Sequence, residues 1–188
     1  MELLKLMKHR RSIRKYEDRQ IEKADLEKVI QAGLFAPNAG GGQRSMIVAV
    51  HNPELVEKLG RLNVACMDRS RLMGSHVSAE QPSIIDDPTI KSGFYGAPTV
   101  CVVFAMKNFL YSIPDAFCCA ENMVLEATEL GLAPASSPGA RRPSQTRRGR
   151  HICGNGTSRK TMLRAALCCW DTAGAATRTK SPGSRGAA

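Results

Sequence analysis

The sequence GAPTVCVVFAMKNFLYSIPDAFCCAENMVLEATELGL occupies residues 96–132 and decides the fold. After Gly96-Ala97-Pro98, a run rich in β-branched residues at 99–104 is typical of a buried strand. Apolar residues then recur at helical spacing over residues 115–132, which predicts a long helix with Phe117, Ala120, Val124, Ala127 and Leu130 near one face. A buried strand beside a long amphipathic helix indicates a domain of the α/β or α+β class.

Upstream of this stretch, the sequence predicts three shorter helices and a second strand. Apolar residues give residues 3–7 a helical face, and residues 22–35 are expected to form an amphipathic helix. Residues 46–50, MIVAV, are expected to form a strand. Leucines at helical spacing mark residues 55–62 as another helix, whereas residues 67–93 show no clear period.

The net charge of the chain is confined to its C-terminal end. Residues 1–133 contain 16 basic and 16 acidic residues, whereas residues 134–188 contain 11 basic residues and one acid, Asp171. The whole formal net charge of +10 therefore lies after residue 133. This tail is rich in Arg, Ser, Pro, Gly and Ala, so it buries little apolar surface and is expected to be disordered. We therefore divide the chain into a folded part, residues 1–133, and an aberrant basic tail, residues 134–188.

Cysteine usage and hydropathy exclude several classes of protein. Seven cysteines without a C-x-x-C pair, together with four scattered histidines, predict neither disulfide bonds nor a metal site. No apolar run reaches 18 residues, and the N-terminal segment is amphipathic rather than signal-like. We therefore expect a cytoplasmic protein that makes no membrane contact.

Four short motifs follow one another in a fixed order. They are an Arg-x-Ser-x-Arg element at residues 10–14, an Ala-Pro-Asn at 36–38 followed by glycines and Gln43, the Gly-Ala-Pro at 96–98, and the helical Ala-Glu-Asn-Met at 120–123. None is specific alone, but their order and spacing resemble the nitroreductase family of FMN-dependent oxidoreductases over residues 1–133. The resemblance implies an α+β fold in which a mixed sheet is flanked by helices.

The basic cluster at residues 10–14 suits a flavin phosphate. Guanidinium groups and a hydroxyl hold a dianionic phosphate through charge-assisted hydrogen bonds, and Arg10, Arg11, Ser12 and Arg14 are close enough in sequence to share this task. The resemblance implies that Arg10 and Ser12 hold the phosphate and that Arg14 faces the N1–O2 edge of the isoalloxazine ring. A cation there stabilises the negative charge of the reduced ring. A solvated basic turn is the alternative interpretation of the same residues.

The glycine segment and one helical amide complete the predicted cofactor site. Glycines at 40–42 allow backbone amides to approach a cofactor, and an ordinary loop is the alternative. Gly41 stands where family members commonly carry Asn, and residues 44–45 depart from a Pro-Trp-like pair. Gln43 is therefore a better candidate than Gly41. Asn122 either reaches the ribityl chain or serves as a core amide.

The resemblance also implies the reaction and the assembly. NAD(P)H reduces FMN and leaves, and a small electron-poor acceptor such as a nitroaromatic, a quinone or a flavin then takes the electrons. No protein side chain is required as a catalytic acid or base, because the cofactor carries the chemistry. The family implies an intertwined homodimer with FMN at the subunit interface.

The tail departs from the family after Leu130-Gly131-Leu132-Ala133, where a strand, a helix and a closing strand are expected. Back-translation read one base out of frame recovers family-like sequence: the codons of residues 168–172 then encode Leu-Leu-Gly followed by Tyr or His. Residues 151–163 permit a Trp-x-Ile-Pro-Glu stretch in the same frame. We therefore predict that residues 134–188 are the product of a frameshift that impairs the enzyme.

A second interpretation gives the tail a function of its own. Its arginines match the charge of disordered segments that bind RNA, although no aromatic residues are interleaved with them. Such binding would be weak and salt-sensitive, so we expect no specific nucleic-acid partner. The chain would then be an inactive flavoprotein relic with nonspecific affinity for polyanions.

Overall fold

The computed structural model of this chain describes residues 1–65, 87–106 and 109–137, together with the backbone of residues 162–170. The described part contains four α-helices, a 3₁₀ turn and four strands. In chain order they are α1 (Leu3–His9), α2 (Lys23–Leu34), the 3₁₀ turn Ala39–Gly41, β1 (Met46–Val50), α3 (Pro53–Ala65), β2 (Thr99–Met106), α4 (Ser112–Glu129), β3 (Ala135–Ser137) and β4 (Met162–Trp170).

Strand β2 lies at the centre of the core because both of its faces are buried. Since successive side chains of a strand point to opposite faces, Cys101, Val103 and Ala105 pack against α2 and α4 on one side. Val100 and Val102 pack on the other side against Phe94 and the apolar face of α3. The continuous β-branched run in the sequence is thus explained by burial on both faces.

The sheet has the strand order β1-β2-β4-β3, and every pairing in its described part is antiparallel. The α+β class with helices flanking a sheet is confirmed, but the expected mixed pairing is not present among these strands. The position of β4 explains why no parallel pair forms. Helix α4 connects β2 to β3, so these two strands run in the same direction. Strand β4 lies between them and is antiparallel to both.

Helix α4 begins earlier and ends earlier than the predicted 115–132. Its C-terminus is set by Gly131, which has φ of 76°. Leu132 donates its N–H to the Ala127 carbonyl at 2.9 Å, and Gly131 donates to Thr128 at 3.1 Å. This pair of hydrogen bonds is a Schellman motif, which needs a residue that tolerates positive φ after the helix. Leu-Gly-Leu at 130–132 therefore ends the helix and directs the chain into β3.

The tail contains two strands that the sequence analysis did not predict. Ser136 of β3 pairs with Cys168 of β4, and β4 pairs along β2 from Thr99 to Met106 with a register shift after Val103. A buried strand such as β2 needs main-chain partners on both edges. Main-chain pairing depends little on side chains, so a segment of altered sequence can still take this position. The expectation of a disordered tail otherwise falls on residues 138–161 and 171–188, which lie outside the described residues.

Two predicted apolar faces are partly exposed. In α1 only Leu6 is buried, whereas Leu3, Leu4 and Met7 are 59%, 56% and 48% exposed. In α4 the buried side chains include Ala120, Val124 and Ala127 as predicted, but Phe117 is 43% exposed.

The predicted strands at 46–50 and 99–104 and the helices at 22–35 and 55–62 are confirmed. Among the described residues, no helix is both long and apolar enough to cross a membrane.

Candidate functional site

The basic cluster lies in an extended loop that follows α1. Arg10 donates from Nη1 to the Ser12 hydroxyl at 3.1 Å, so these two predicted phosphate ligands lie side by side. The Arg10 Nε–H is buried and has no hydrogen-bond partner among the described residues. A buried donor without an acceptor is costly. The loop therefore presents an unused guanidinium N–H next to a hydroxyl.

Arg11 has a different environment. Its side chain is exposed, and its Nη1 donates to the carbonyls of Lys8 and Arg10, each at 2.9 Å. Cations near the C-terminal carbonyls of a helix are favourable. Part of the Arg11 guanidinium thus serves to close α1, and its role towards a cofactor stays a prediction.

Arg14 lies against the segment that precedes β2. Its Cζ is 5.8 Å from the centre of the Tyr95 ring, a cation–π contact. Tyr95 itself has φ of 56°, an uncommon conformation for a residue with a side chain. The Gly-Ala-Pro motif at 96–98 follows directly. The first sequence motif therefore contacts Tyr95, the residue that immediately precedes the third motif.

The basic loop is anchored at the C-terminal end of α4. Ile13 donates its N–H to the carbonyl of Pro134 at 3.2 Å, and the Tyr16 hydroxyl donates to the Ile13 carbonyl at 2.7 Å. Pro134 is the first residue of the tail. Since the acceptor is a main-chain carbonyl, this contact does not depend on the identity of the side chain at 134.

The glycine segment forms a tight loop between α2 and β1, here called the glycine loop (residues 38–43). Gly40 and Gly41 have φ of 63° and 61°, which explains glycine at both positions. Gln43 has φ of 43°, and its N–H is accepted by the Asn38 side-chain oxygen at 2.8 Å. Gln43 and Gly41 are exposed at the surface of this loop. A strained residue in an exposed loop is the kind of feature that marks a functional segment.

Two residues that the sequence analysis did not single out hold this loop in place. Asp115, only 8% exposed, accepts the Ala39 N–H at 3.1 Å. Arg44 donates to the Ala39 carbonyl at 2.9 Å and stacks on Phe109 with 4.7 Å between Cζ and the ring centre. An acid at the start of an otherwise apolar helix face was the sequence signal for Asp115. Arg44 was noted only as a departure from the family pattern.

A small pocket lies between the glycine loop and α4. Asn38 and Gln43 line it from the loop, Ser45 lines it from just before β1, and Asp115 and Cys119 line it from the helix. Burial raises the pKa of the Cys119 thiol to about 11, with a smaller contribution from the neighbouring Cys118. Cys119 is therefore an uncharged packing residue at neutral pH. The described residues contain no cluster of His, Cys, Asp and Glu that could hold a metal ion.

Asn122 connects α4 to α2. Its Nδ2 donates to the Ala32 carbonyl at 3.1 Å, and the side chain is partly buried. The amide donor thus has a main-chain partner in an adjacent helix, which was one of the two alternatives for this residue. Its contribution to a cofactor stays a prediction.

Apart from Asn122, which lies within α4, the predicted site residues form two groups at opposite ends of this helix. Arg10, Ser12 and Arg14 lie near its C-terminal end through the Ile13–Pro134 bond, whereas the glycine loop lies at its N-terminal end through Asp115. With 18 residues, α4 is about 27 Å long at 1.5 Å per residue. These contacts therefore attach the two groups to different ends of the same helix.

Comparison with known proteins assigns the chain to a class. The sequence profile of the nitroreductase family matches residues 7–137. The match covers more than half of the chain and all four sequence motifs, so this chain belongs to the nitroreductase family.

Individual relatives agree with this assignment. A protein of Archaeoglobus fulgidus named NADH dehydrogenase/NAD(P)H nitroreductase is 43% identical over 58 residues, which cover 31% of this chain and 33% of that protein. The match thus spans about a third of the relative's length. Among solved structures, a nitroreductase with bound FMN from Bacteroides fragilis superposes with a TM-score of 0.76 at 23% identity, covering 97% of this chain and 94% of that one. A nitroreductase with bound FMN from Desulfitobacterium hafniense gives 0.72 at 21% identity, covering 97% and 93%.

Proposed function

We propose that this chain is an FMN-dependent oxidoreductase that takes a hydride from NAD(P)H and transfers electrons to a small electron-poor acceptor, such as a nitroaromatic or a quinone. The observation that carries the proposal is the Arg10–Ser12 pair with its unpartnered, buried Nε–H. It lies in a chain of the nitroreductase family, and solved structures of similar fold contain FMN.

The residues present fit FMN. Arg10 and Ser12 would hold its phosphate, because a phosphate oxygen satisfies the free Nε–H and leaves the hydroxyl as a second donor. Arg11, exposed beside them, would add positive charge. Arg14 would face the N1–O2 edge of the ring and stabilise negative charge there. Its guanidinium lies 5.8 Å from the centre of the Tyr95 ring.

The glycine loop would supply main-chain contacts to the ring system. Gly41 and Gln43 are exposed there. Hydrogen bonds to the side chains of Asn38, within the loop, and Asp115 of α4 hold the conformation of the loop. When bound, FMN supplies a ring that accepts a hydride from NAD(P)H and passes electrons on to the acceptor. The donor and the acceptor use the same site in turn.

Because the two groups of residues lie at opposite ends of α4, we infer that a complete site needs two chains. The basic loop of one chain would meet the glycine loop of a second copy in a homodimer. The exposed apolar side chains support this assembly, since Phe35 and Leu110 are each 83% exposed and Leu3 and Leu4 of α1 are more than half exposed. Large exposed apolar patches commonly mark protein interfaces.

We further propose that residues 134–188 are translated out of frame and that this impairs the enzyme. The family profile stops matching at residue 137, four residues after the charge changes. Read one base out of frame, the codons of residues 168–172 encode Leu-Leu-Gly followed by Tyr or His, which resembles the sequence that the family has near its C-terminus. Sequencing the source DNA tests this idea, and an in-frame Arg-rich tail in close relatives would refute it.

The excess charge of the tail favours one competing function, an inactive relic that binds polyanions. The oxidoreductase and the relic hypotheses are distinguished by a variant in which five arginines of the tail are replaced by Gln: Arg141, Arg142, Arg147, Arg148 and Arg150. The relic hypothesis requires salt-dependent DNA binding that this variant loses. A control variant with Lys23, Lys28, Lys58, Arg61 and Lys91 replaced by Gln removes the same charge from exposed positions elsewhere.

The proposed function is tested by adding FMN to the purified chain and recording the visible spectrum. We expect the flavin absorption bands to shift on binding, and NADH or NADPH to be consumed when a quinone or a nitroaromatic is present. A chain that takes up no FMN and does not accelerate NAD(P)H oxidation would refute the proposal.

A further inference from the structure

We propose that Asp115 is a positioning residue that fixes the glycine loop, residues 38–43, for contact with the cofactor. The proposal rests on the proposed function, because it concerns how the same site is held in place. It starts from a buried carboxylate that no family motif quoted above includes.

The contacts of Ala39 carry the argument. Its N–H is bound by the Asp115 carboxylate at 3.1 Å, and its carbonyl is bound by Arg44 at 2.9 Å. The main-chain N–H and carbonyl of Ala39 are thus both bound by side chains rather than by main-chain pairing in a helix or a sheet. A hydrogen bond from a main-chain amide to a carboxylate is stronger than one between neutral groups.

Both contacts lead back to the N-terminal end of α4. Asp115 lies in the first turn of the helix, and Phe109, on which Arg44 stacks, lies just before it. Ser112, the first residue of α4, links Phe109 to the helix. It donates its N–H and its hydroxyl to the Phe109 carbonyl, at 3.1 and 2.7 Å. The loop is therefore attached to a rigid element at two points.

The loop needs such support because its own conformation is unfavourable. Gln43 has φ of 43°, and two glycines precede it with positive φ. A residue in this region of φ and ψ persists only when surrounding contacts hold it. Without the Asp115 contact, the loop would sample other conformations, and the entropy lost on binding would increase.

Three variants of the full chain test this role. Asp115→Ala removes the acceptor. Asp115→Asn keeps an oxygen at the same place. Ala39→Pro removes the donor instead, at a position that suits proline because Ala39 is the first residue of the 3₁₀ turn and Asn38 is extended, with φ of −146° and ψ of 151°. Glu121→Ala, an exposed acid on the same helix, is the control.

Two readouts are used. Amide hydrogen exchange of residues 38–43 in the cofactor-free protein measures how firmly the Ala39–Asp115 hydrogen bond, the tether, holds the loop. FMN titration measures the effect of this tether on cofactor affinity. We expect Asp115→Ala to speed exchange in the loop and to weaken FMN binding about tenfold or more, the loss of one charge-assisted hydrogen bond. Ala39→Pro should weaken FMN binding to a similar extent. Asp115→Asn and Glu121→Ala should stay within about threefold of the unmodified chain.

The outcomes separate this proposal from the proposed function. Unchanged loop exchange in Asp115→Ala, or unchanged FMN affinity in both Asp115→Ala and Ala39→Pro, overturns the positioning role. If Asp115→Ala does not fold, Ala39→Pro decides, because it breaks the same hydrogen bond while the carboxylate stays in place. An unmodified chain that binds no FMN overturns the proposed function and the cofactor role together, and the exchange rates then test the tether alone.

Discussion

At the scale of single residues, two polar contacts characterise the candidate site. The buried Arg10 Nε–H has no hydrogen-bond partner among the described residues, and the Ala39 N–H is bound by the side chain of Asp115. The sequence predicted that Arg10, Ser12 and Arg14 act together, and the structure brings Arg10 to Ser12 and Arg14 to Tyr95. The sequence analysis did not predict the role of Asp115. Its place on the apolar face of α4 was a local signal, but a contact with a main-chain amide 76 residues away leaves no local pattern. Asn122 is used, at least through its Nδ2, to join two helices.

We expect Arg10→Ala to weaken FMN binding about ten- to a hundredfold, because a hydrogen bond to a charged group contributes on the order of 1.5–3 kcal/mol. Arg61→Ala is the control, since Arg61 is an exposed arginine paired with Glu57 on α3. Flavin titration of both variants measures the effect. Equal affinities for the two variants would show that Arg10 does not touch the phosphate.

The adjacent cysteines of α4 should differ in reactivity. Cys118 is exposed, whereas Cys119 is 2% exposed and its pKa is raised to about 11. The thiolate is the reactive form, so Cys119 should stay unreactive until the pH approaches 11, and Cys118 should be alkylated first at pH 8. Peptide fragmentation after brief iodoacetamide treatment distinguishes the two positions, with Cys118→Ser as the control. Preferential labelling of Cys119 would contradict the burial described above.

At the scale of elements, the close packing of α2 on α4 holds the glycine loop next to the long helix. Gly33 of α2 is buried, and a Cβ atom there would lie 2.6 Å from Met123 Cγ and 2.8 Å from its Sδ. Met123 is fully buried, so it has little room to move. The helical patterns predicted both helices, but periodicity alone does not specify how closely two helices approach.

We expect Gly33→Ala to lower the free energy of unfolding by about 1 kcal/mol. The overpacking cost of about 1–3 kcal/mol should exceed the gain in helix propensity of up to about 1 kcal/mol. Urea denaturation measures the difference, and Gln31→Ala, at an exposed position of α2, is the control. A more stable Gly33→Ala variant would mean that the helices are farther apart than described.

At the scale of the whole molecule, local patterns predicted most elements of residues 1–133, while the sheet was completed by pairings that no local pattern specifies. Strand β2 was recognised from its β-branched run, but β3 and β4 were not. Strand β4 pairs with β2 and β3 pairs with β4 through main-chain groups, which place few demands on sequence. The separation of the two groups along α4 also became visible only in three dimensions. It is the basis for our proposal that the site needs two chains.

A mixed dimer tests this shared site. Arg10→Ala damages the basic loop, and Gly41→Val strains the glycine loop at φ of 61°. If each site combines the basic loop of one chain with the glycine loop of the other, the mixed dimer has one site with neither substitution and one site with both. We expect co-expression to restore about one FMN per mixed dimer, while each homodimer stays weak. No recovery in the mixed dimer would indicate that both groups serve a site within one chain.

We propose that this chain carries an FMN site of the nitroreductase family and that its C-terminal part is translated out of frame. Both parts of this proposal are tested by equilibrium titration with FMN, on the chain as given and on a version with the frame restored after residue 133. We expect the restored chain to bind one FMN per subunit tightly and to elute as a dimer, and the chain as given to bind about ten- to a hundredfold more weakly through its remaining Arg10 cluster. Tight, stoichiometric binding by the chain as given would contradict the frameshift, and absence of binding by both versions would contradict the FMN site itself.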